Sequence, residues 1–409
     1  MTSDEKEFLF LTHQIIDGKG FVDSNGDFSV RAPLFPALLA LSLGGFGNSF
    51  TQLFIICCIL GTLVVYLGYL LSLWIWNDRA AAVATACILG FYPGLVIYSA
   101  LLQTETLYIV FFLAALLLAL RVDENASTMA VIALGVVAGL ATLTRAVFIG
   151  FFPILLGTMW VVRKVRGRNV LRPIMGAFAV FCLVLAPWTV RNAIIHKAFV
   201  PVSTVTGSSL LIGNNPFSRG TPQLPPEYEQ WKRARAREHG VDSLEALPEL
   251  QRSAVERDIA VEYMVSHPGR VAILAARKMF VFWVYPITQS ATDHAIQGVA
   301  VGADIVLLSF AVIGFVAAYR EKSRLAPIFV ALMFFTLVQL VMHAEARYRL
   351  PLIPLLSVIG GLGIVAATDA GRRRELFATP SSRPILGLGI SGILLVYGYT
   401  AWLFTHGAV

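Results

Sequence analysis

A small set of charged side chains stands beside or between strongly apolar stretches of this 409-residue chain. An ionisable group at or inside a bilayer is costly, so each one needs a partner or a use. The N-terminal dipole of a helix would also explain Glu105, and contact with lipid headgroups would explain Arg191. As a set, however, these residues predict one shared polar site. The set is Asp4, Glu5, Arg31, Glu105, Arg145, Arg191, His343, Glu345, Arg347 and Arg349.

These residue types indicate the chemistry of group transfer. A carboxylate held close to an acceptor hydroxyl or amine can act as a general base. Arginines, together with Lys278, can bind a phosphate and stabilise the charge that develops when it leaves. Reaction of an acceptor with a lipid-phosphate-linked donor requires both functions. We therefore predict transfer from a lipid-linked donor.

Other polar residues leave two interpretations open. Asn192 follows Arg191, and Asn214 and Asn215 lie in a turn-rich Gly-Asn-Asn-Pro segment. Their amides can hydrogen-bond a sugar, but the same residues are equally typical of surface turns. His343 and Glu345 leave a divalent cation open as a cofactor, although no arrangement is specific enough to predict a metal site.

The composition predicts that the elements holding these residues are membrane-spanning helices. The chain is 57% hydrophobic and 14% charged, with a mean hydropathy of +0.72. These values lie outside the range of soluble globular proteins. At about 20 apolar residues a crossing, we predict an all-α polytopic membrane protein with about ten spans. The spans lie at roughly 50–75, 80–98, 104–120, 128–144, 146–162, 172–189, 298–318, 325–342, 350–368 and 384–404.

The distribution of Lys and Arg predicts the orientation. Basic residues occur in every second gap, at Arg79, at Arg121 and in segments 163–168, 320–324 and 372–374. The positive-inside rule makes these gaps cytoplasmic, so the catalytic candidates face outward. The cytoplasmic basic residues explain most of the net charge of +7, which also suits contact with membrane lipids, and no nucleic acid is required.

The same reading divides the chain into four parts. Residues 1–49 form an external N-terminal loop that carries the acidic pair and a re-entrant or interfacial segment at 33–46. Residues 50–189 form a transmembrane bundle of about six helices. Residues 190–297 form an external region with an amphipathic helix at 247–265 and an interfacial helix at 271–285. Residues 298–409 add about four more spans. Because residues 1–32 are placed outside, we also expect a first helix that this chain does not contain.

Several motifs, in order along the whole chain, resemble the dolichyl-phosphate-mannose protein mannosyltransferase superfamily, glycosyltransferase family 39. Each motif is weakly specific alone, and together they are moderately specific. They are Ser3-Asp4-Glu5, Gly18-Lys19-Gly20-Phe21, Arg31-Ala32-Pro33-Leu34-Phe35-Pro36, Gln103-Thr104-Glu105-Thr106-Leu107, Gly139-Leu140-Ala141-Thr142-Leu143-Thr144-Arg145, Ala186-Pro187-Trp188-Thr189-Val190-Arg191-Asn192, Gly213-Asn214-Asn215-Pro216 and Arg347-Tyr348-Arg349-Leu350-Pro351-Leu352-Ile353-Pro354.

The resemblance implies a GT-C fold in a bacterial inner membrane, with a periplasmic active site and a polyprenyl-phosphate sugar donor. It implies inversion at the sugar carbon, with Asp4 as the catalytic base and Glu5 beside it. The candidates for the donor phosphate are then Arg31, Arg145, Arg191, Lys278, Arg347 and Arg349. The candidates for the cavity and the sugar are Glu105, Asn192, Asn214, Asn215 and His343. The acceptor, whether lipid, glycan or protein, is not implied.

Three other functions remain open. An O-antigen ligase or polysaccharide polymerase also combines many spans with a large external loop, but would depend on loop arginines and a histidine. A secondary transporter would use buried charges as a path, although no inverted repeat is evident and the charges lie near one face. The third alternative is a catalytically silent assembly subunit.

Overall fold

The computed structural model of the protein describes residues 2–46, 50–124, 127–165, 171–285, 294–318, 322–378 and 382–405. All regular secondary structure in these ranges is helical. The predicted all-α class is therefore confirmed. The predicted basic segments at 163–168 and 320–324 lie partly outside the described residues.

The first half of the chain is a charged helix followed by mostly apolar helices. Its helices are α1 (Ser3–Ile16), α2 (Leu34–Phe46), α3 (Phe50–Trp76), α4 (Arg79–Phe91), α5 (Pro93–Tyr98), α6 (Thr104–Glu124), α7 (Thr128–Thr144), α8 (Phe148–Val165) and α9 (Leu171–His196).

The second half begins with shorter, more polar helices and returns to apolar ones. Its helices are α10 (Thr206–Gly213), α11 (Glu227–Glu238), α12 (Glu249–Ser266), α13 (Pro268–Val284), α14 (His294–Ala317), α15 (Lys322–Val341), α16 (Ile353–Thr368), α17 (Ala370–Ala378) and α18 (Ser382–Thr405). A 3-10 helix, Ala346–Leu352, precedes α16 without a break.

Five of the predicted spans are helices long and apolar enough to cross a membrane. They are Phe50–Trp76, Thr104–Val122, Leu171–His196, Ala295–Ala317 and Ala346–Thr368. The other predicted spans correspond to shorter apolar helices, so their number stays a prediction. The protein is therefore a polytopic membrane protein.

Two elements differ from the sequence-based prediction. The span predicted over 80–98 is divided at Tyr92, whose ψ of 117° is extended. Pro93 is the cause, because proline disfavours a helical conformation in the preceding residue. The segment predicted as an N-terminal loop contains α1, which begins with a capping box in which Thr2 and Glu5 satisfy each other's backbone N–H groups.

Helices α10 to α12 cover one end of the bundle, which we call the capped end. They form a small hydrophobic core of their own around Leu211, Tyr228, Leu244, Ile259 and Ala260. The predicted amphipathic helix is observed as α12. At the opposite end, Arg372 lies 2.7 Å from Asp78, the N-cap of α4. Asp78 and Arg372 thus join the start of α4 to α17 at this end.

Helices α14 and α16 pack backbone against backbone. A Cβ atom built on Gly314 would lie 1.9 Å from the carbonyl oxygen of Ile359, and one on Gly363 would lie 1.9 Å from that of Phe310. Close helix contacts of this kind are typical of membrane proteins, where small residues let two backbones approach. The two glycines are therefore required by packing.

We expect Gly314→Ala to destabilise the protein by about 1–3 kcal/mol, because the added methyl group must push two helices apart. Gly302→Ala on the same helix is the matched control, since no described atom lies within 4 Å of its Cβ position. Unfolding in mild detergent, followed by denaturant titration, measures the difference. Equal stability of the two variants would contradict this account of the contact.

Candidate active site

A cavity of about 380 Å³ opens at the capped end of the bundle. Its walls come from α1, the segment before α2, the start of α6, the turn between α7 and α8, α10, the end of α15 and the 3-10 helix. Its acidic, basic and histidine lining residues are Asp4, Arg31, Arg145, His343, Glu345 and Arg347. Six of the ten residues in the predicted set therefore meet in one polar cavity, and Glu5, Glu105, Arg191 and Arg349 do not line it.

Asp4 lies in the first turn of α1 with both carboxylate oxygens paired. Its Oδ1 is 2.8 Å from Arg31 Nη2, and its Oδ2 is 2.6 Å from Arg347 Nη1. Burial raises the pKa of Asp4, but the guanidinium groups of Arg31 and Arg347 outweigh it, so the pKa lies below its ordinary value. Asp4 is therefore ionised in the resting cavity.

A second ion pair forms the side wall. Helix α7 ends at Thr144, and the extended backbone of Arg145 turns its side chain into the cavity. Arg145 Nη1 lies 3.2 Å from Glu105 Oε1, and the guanidinium stands over the rings of Tyr108 and Tyr348 at 5.9 and 5.2 Å. Glu105 itself lies behind Arg145 and is buried. It orients the arginine and does not line the cavity.

The segment before the 3-10 helix supplies the third group. Arg347 pairs with Glu345 as well as with Asp4. His343 Nε2 lies 3.3 Å from the hydroxyl of Tyr348 and 3.8 Å from Glu345 Oε1. Burial lowers the pKa of His343, although Glu345 opposes the shift. The lowered pKa favours the uncharged form of the imidazole at neutral pH.

The next feature is the possible metal site that the sequence left open. His343 and Glu345 were the candidates for a divalent cation. No group of three or more His, Cys, Asp and Glu side chains arranged to hold a metal ion is found in the part of the chain that the structure describes. We therefore assign no metal ligands.

Glu5 supports Asp4 and does not join it in the cavity. Its carboxylate accepts hydrogen bonds from the N–H groups of Thr2 and Leu102 at 2.6 and 3.1 Å. These bonds tie the first turn of α1 to the segment before α6. Glu5 was predicted as a second catalytic carboxylate, and its position differs because backbone donors occupy both of its oxygens.

Arg191 and Asn192 bind protein rather than line the cavity. Arg191 donates to the carbonyl oxygens of Phe21 and Phe28, each at 2.8 Å. Asn192 is buried and accepts from the hydroxyl of Ser29. These contacts differ from the predicted binding of phosphate and sugar. They hold the segment before α2 against α9 and so position Arg31, two residues beyond Ser29.

The carboxylate of Glu249 holds the same segment from the other side. It accepts from the N–H groups of Phe28 and Ser29 at 2.8 and 3.1 Å, and from the hydroxyl of Thr204. Sequence reasoning missed this residue, since nothing in α12 distinguishes it from the other acids there. Its partners Phe28 and Ser29 lie about 220 positions earlier in the chain.

Asn214 and Asn215 are buried turn residues. Asn214 Nδ2 donates to the carbonyl oxygens of Leu210 and Val341 at 2.9 and 2.8 Å, and Asn215 Nδ2 donates to that of Leu211. A Cβ on Gly213 would lie 2.5 Å from the carbonyl oxygen of Met342. Of the two interpretations of this segment, the structure therefore favours the structural turn. The turn packs α10 against the residues that precede His343.

Lys278 differs most from its predicted role. It is completely buried, and its Nζ donates to Asn214 Oδ1 and to the carbonyl oxygens of Leu340 and Val341, at 3.0, 3.2 and 3.3 Å. These carbonyls end α15, where a helix attracts positive charge. Lys278 therefore fastens α13 to the end of α15 and does not reach the cavity.

We expect Lys278 to make stability depend on pH. Burial lowers its pKa to about 8 from an ordinary value of 10.5. Between these values the unfolded chain binds more protons than the folded one, so stability rises with pH across this window. Lys278→Met should remove the rise, whereas Arg277→Met, the exposed neighbour, should retain it. Thermal unfolding at several pH values measures both, and an unchanged slope in Lys278→Met would contradict the assignment.

Arg349 pairs away from the cavity. Its Nη2 lies 2.7 Å from Asp304 Oδ2, and its Nη1 donates to the carbonyl oxygen of Phe282 at 2.7 Å. The hydroxyl of Tyr92 donates to Asp304 Oδ1 at 2.5 Å. The predicted phosphate contact of Arg349 is therefore replaced by a buried pair. Sequence reasoning missed Asp304, although an acidic residue in the apolar α14 was a signal that a partner exists.

Two further cavity residues carry unpaired polar atoms. Tyr108 and Gln339 line the cavity and are 1% and 7% exposed. Among the described residues, neither the hydroxyl of Tyr108 nor Oε1 of Gln339 has a hydrogen-bond partner. A buried polar atom without a partner is costly, so these two are candidates for ligand contacts. In the sequence, each of these two residues was recognisable as a polar side chain within an otherwise apolar helix.

The fold is of the GT-C type. The chain is similar to the archaeal oligosaccharyltransferase AglB from Archaeoglobus fulgidus, solved with an inhibitory peptide and a dolichol-phosphate, at a TM-score of 0.54 and 16% identity. The alignment covers 98% of this chain and 51% of AglB, so the chain spans about half the length of that relative.

A family model matches part of the chain, in line with the resemblance of its motifs. Residues 30–190 match the family model of dolichyl-phosphate-mannose-protein mannosyltransferases. ArnT from Cupriavidus metallidurans is a more distant structural match, with TM-scores of 0.42 when bound to undecaprenyl phosphate and 0.38 in the apo state. Identities are 15% and 17%, and each alignment covers 89% of this chain and 73% of ArnT. No curated protein sequence is similar enough to count as a relative.

Proposed function

We propose that the protein is a membrane glycosyltransferase that moves a sugar from a polyprenyl-phosphate donor to an acceptor in this cavity. The observation that carries the proposal is the carboxylate of Asp4, held between Arg31 and Arg347 at the end of an apolar bundle. A base and phosphate-binding cations are the two functions that such a transfer requires. The match to the mannosyltransferase family and the dolichol-phosphate in AglB support the same donor class.

The reaction uses Asp4 as general base. The acceptor hydroxyl or amine gives its proton to the Asp4 carboxylate while its oxygen or nitrogen bonds to the anomeric carbon. The bond between that carbon and the phosphate oxygen breaks, and its electron pair leaves with the phosphate. Arg31, Arg145 and Arg347 stabilise the developing negative charge. Because attack comes from the face opposite the phosphate, the configuration inverts.

The cavity walls suit a hydroxyl-bearing ligand. A volume of about 380 Å³ lies within the roughly 300–1,000 Å³ range of small-molecule sites. The unpaired atoms of Tyr108 and Gln339 supply polar contacts deep in the wall, and Ser203, Ser208 and Ser209 line it further. We propose Tyr108 and Gln339 as sugar contacts, in place of Asn192, Asn214 and Asn215.

The orientation follows from charge. Among the described residues, Arg79, Arg121 and Arg372 lie at the end opposite the cavity, and the positive-inside rule places that end in the cytoplasm. We therefore propose that the cavity faces the periplasm of a bacterial inner membrane. A lipid-linked donor would then enter from the outer leaflet, with its phosphate at the level of the cavity.

Transfer by the purified protein tests this function. The full chain, reconstituted in vesicles, is incubated with labelled polyprenyl-phosphate sugars and with lipid, peptide and glycan acceptors. We expect transfer from at least one donor, with an inverted anomeric configuration by NMR. Neither transfer nor hydrolysis of any donor, together with no saturable binding of polyprenyl phosphate, would overturn the proposal. Solute uptake by the same vesicles without lipid-linked sugar would favour a transporter instead.

A further inference from the structure

The charges around the cavity balance before any ligand enters. Three arginines, Arg31, Arg145 and Arg347, face three carboxylates, those of Asp4, Glu105 and Glu345. His343, whose pKa burial lowers, adds no full charge at neutral pH. A phosphodiester donor brings one further negative charge. One arginine must then be shared between a carboxylate and the phosphate.

Asp4 is the carboxylate most affected by this sharing. Each of its oxygens already accepts a hydrogen bond from an arginine. Such pairing stabilises the ionised form and makes the carboxylate a weaker base. A base at this position gains strength when one arginine turns to another anion.

Arg31 is the arginine with the fewest other contacts. Its side chain is 37% exposed, compared with 20% for Arg145 and 21% for Arg347. Among the described residues its one ionic partner is Asp4, and its guanidinium stands 5.6 Å from the ring of Phe8. Arg145 is held by Glu105, and Arg347 by Glu345. Exchange by Arg31 therefore breaks the fewest interactions.

We propose that Arg31 exchanges Asp4 for the phosphate of the lipid donor, so that Asp4 Oδ1 is released for the acceptor proton only when the donor is in place. This inference rests on the proposed function. Under this exchange Asp4 acts as a base only after the donor has bound, because the Arg31 guanidinium pairs first with Asp4 and then with the phosphate. Arg347 stays on Asp4 Oδ2 and keeps the carboxylate oriented.

The exchange predicts that removing the carboxylate improves phosphate binding. When the phosphate enters the cavity, it competes with Asp4 for Arg31. Asp4→Asn removes the charge that competes for Arg31, so we expect farnesyl phosphate to bind about fivefold more tightly, equivalent to about 1 kcal/mol. A partly exposed ion pair contributes on this scale. Binding is measured by calorimetry on the full chain in detergent, with farnesol as the probe that lacks phosphate.

Testing Asp4→Asn with and without Arg31 distinguishes two explanations. One is the exchange of Arg31 between Asp4 and the phosphate, and the other is simple repulsion between the two negative charges. In Arg31→Gln, farnesyl phosphate should bind more weakly, and adding Asp4→Asn should then produce no gain. Glu7→Gln, which removes a carboxylate from the same helix outside the cavity, is the matched control and should leave affinity unchanged. Asp4→Ala repeats the comparison if Asp4→Asn does not fold.

Two results would overturn the exchange and leave the glycosyltransferase proposal in place. They are unchanged or weaker binding in Asp4→Asn, and equal tightening with and without Arg31. A third result would remove both proposals: farnesyl phosphate binding no better than farnesol in every variant, including the unsubstituted chain.

Discussion

Replacing Asp4 with Asn is expected to lower the rate of sugar transfer by about 10²- to 10⁴-fold, the range that loss of a general base produces. Asn has nearly the same shape as Asp but cannot take the acceptor proton. Its side-chain oxygen can still accept a hydrogen bond from Arg31 or Arg347. The chemical step should therefore fail while the cavity persists.

The measurement is the initial rate of transfer with saturating lipid-linked donor. Glu7→Gln makes the same chemical change three residues later in α1, where the carboxylate bonds Ser24 and not the cavity. It should retain full activity. Thermal unfolding and detergent-stable yield show whether Asp4→Asn is folded. A folded Asp4→Asn protein with normal transfer rates would refute the role of Asp4 as base.

The second large effect is expected on stability, from breaking the buried pair of Asp304 and Arg349. Both side chains are almost fully buried, at 3% and 2% exposure. Asp304→Asn leaves the guanidinium in the apolar core without its counter-charge. Removing one partner of a buried pair costs about 3–5 kcal/mol, because the remaining charge is uncompensated.

The double variant Asp304→Leu with Arg349→Met tests the cause. It replaces both charges by apolar side chains, so we expect it to recover most of the stability lost in Asp304→Asn. Asp369→Asn, an exposed acid at the end of α16, should change stability little. Denaturant titration in detergent measures the free energy of unfolding of the unsubstituted protein and of the three variants. A double variant no more stable than Asp304→Asn would show that the pair is needed for its geometry and not for its charge balance.

The pair also contributes to the cavity. Arg349 lies two residues after Arg347 in the 3-10 helix, and its bonds to Asp304 and Phe282 fix that helix against α13 and α14. Arg347 can then reach Asp4 across the cavity. Arg349, which was predicted to bind the donor phosphate, therefore positions Arg347, which we propose stabilises the charge on that phosphate.

The sequence predicted much of the fold because its signals are local. Apolar runs of about 20 residues must become helices in a bilayer, since their backbone groups have no other partners there. The break at Tyr92 and the capping box at Thr2 were equally local signals, but they specify helix ends and not spans. The number of crossings stays a prediction, because several apolar helices are shorter than a full span.

Sequence alone determined that this chain is a polytopic, GT-C-like membrane protein, and that a few costly charges had to share a polar site. It also named Asp4, Arg31, Arg145, His343 and Arg347 for that site. Only the tertiary structure decided which charges pair within it. Arg347 and Arg349 differ by two positions, yet one faces Asp4 and the other Asp304. Side-chain pairing depends on which helices pack together, across separations such as the 343 positions between Asp4 and Arg347, and no local pattern encodes that.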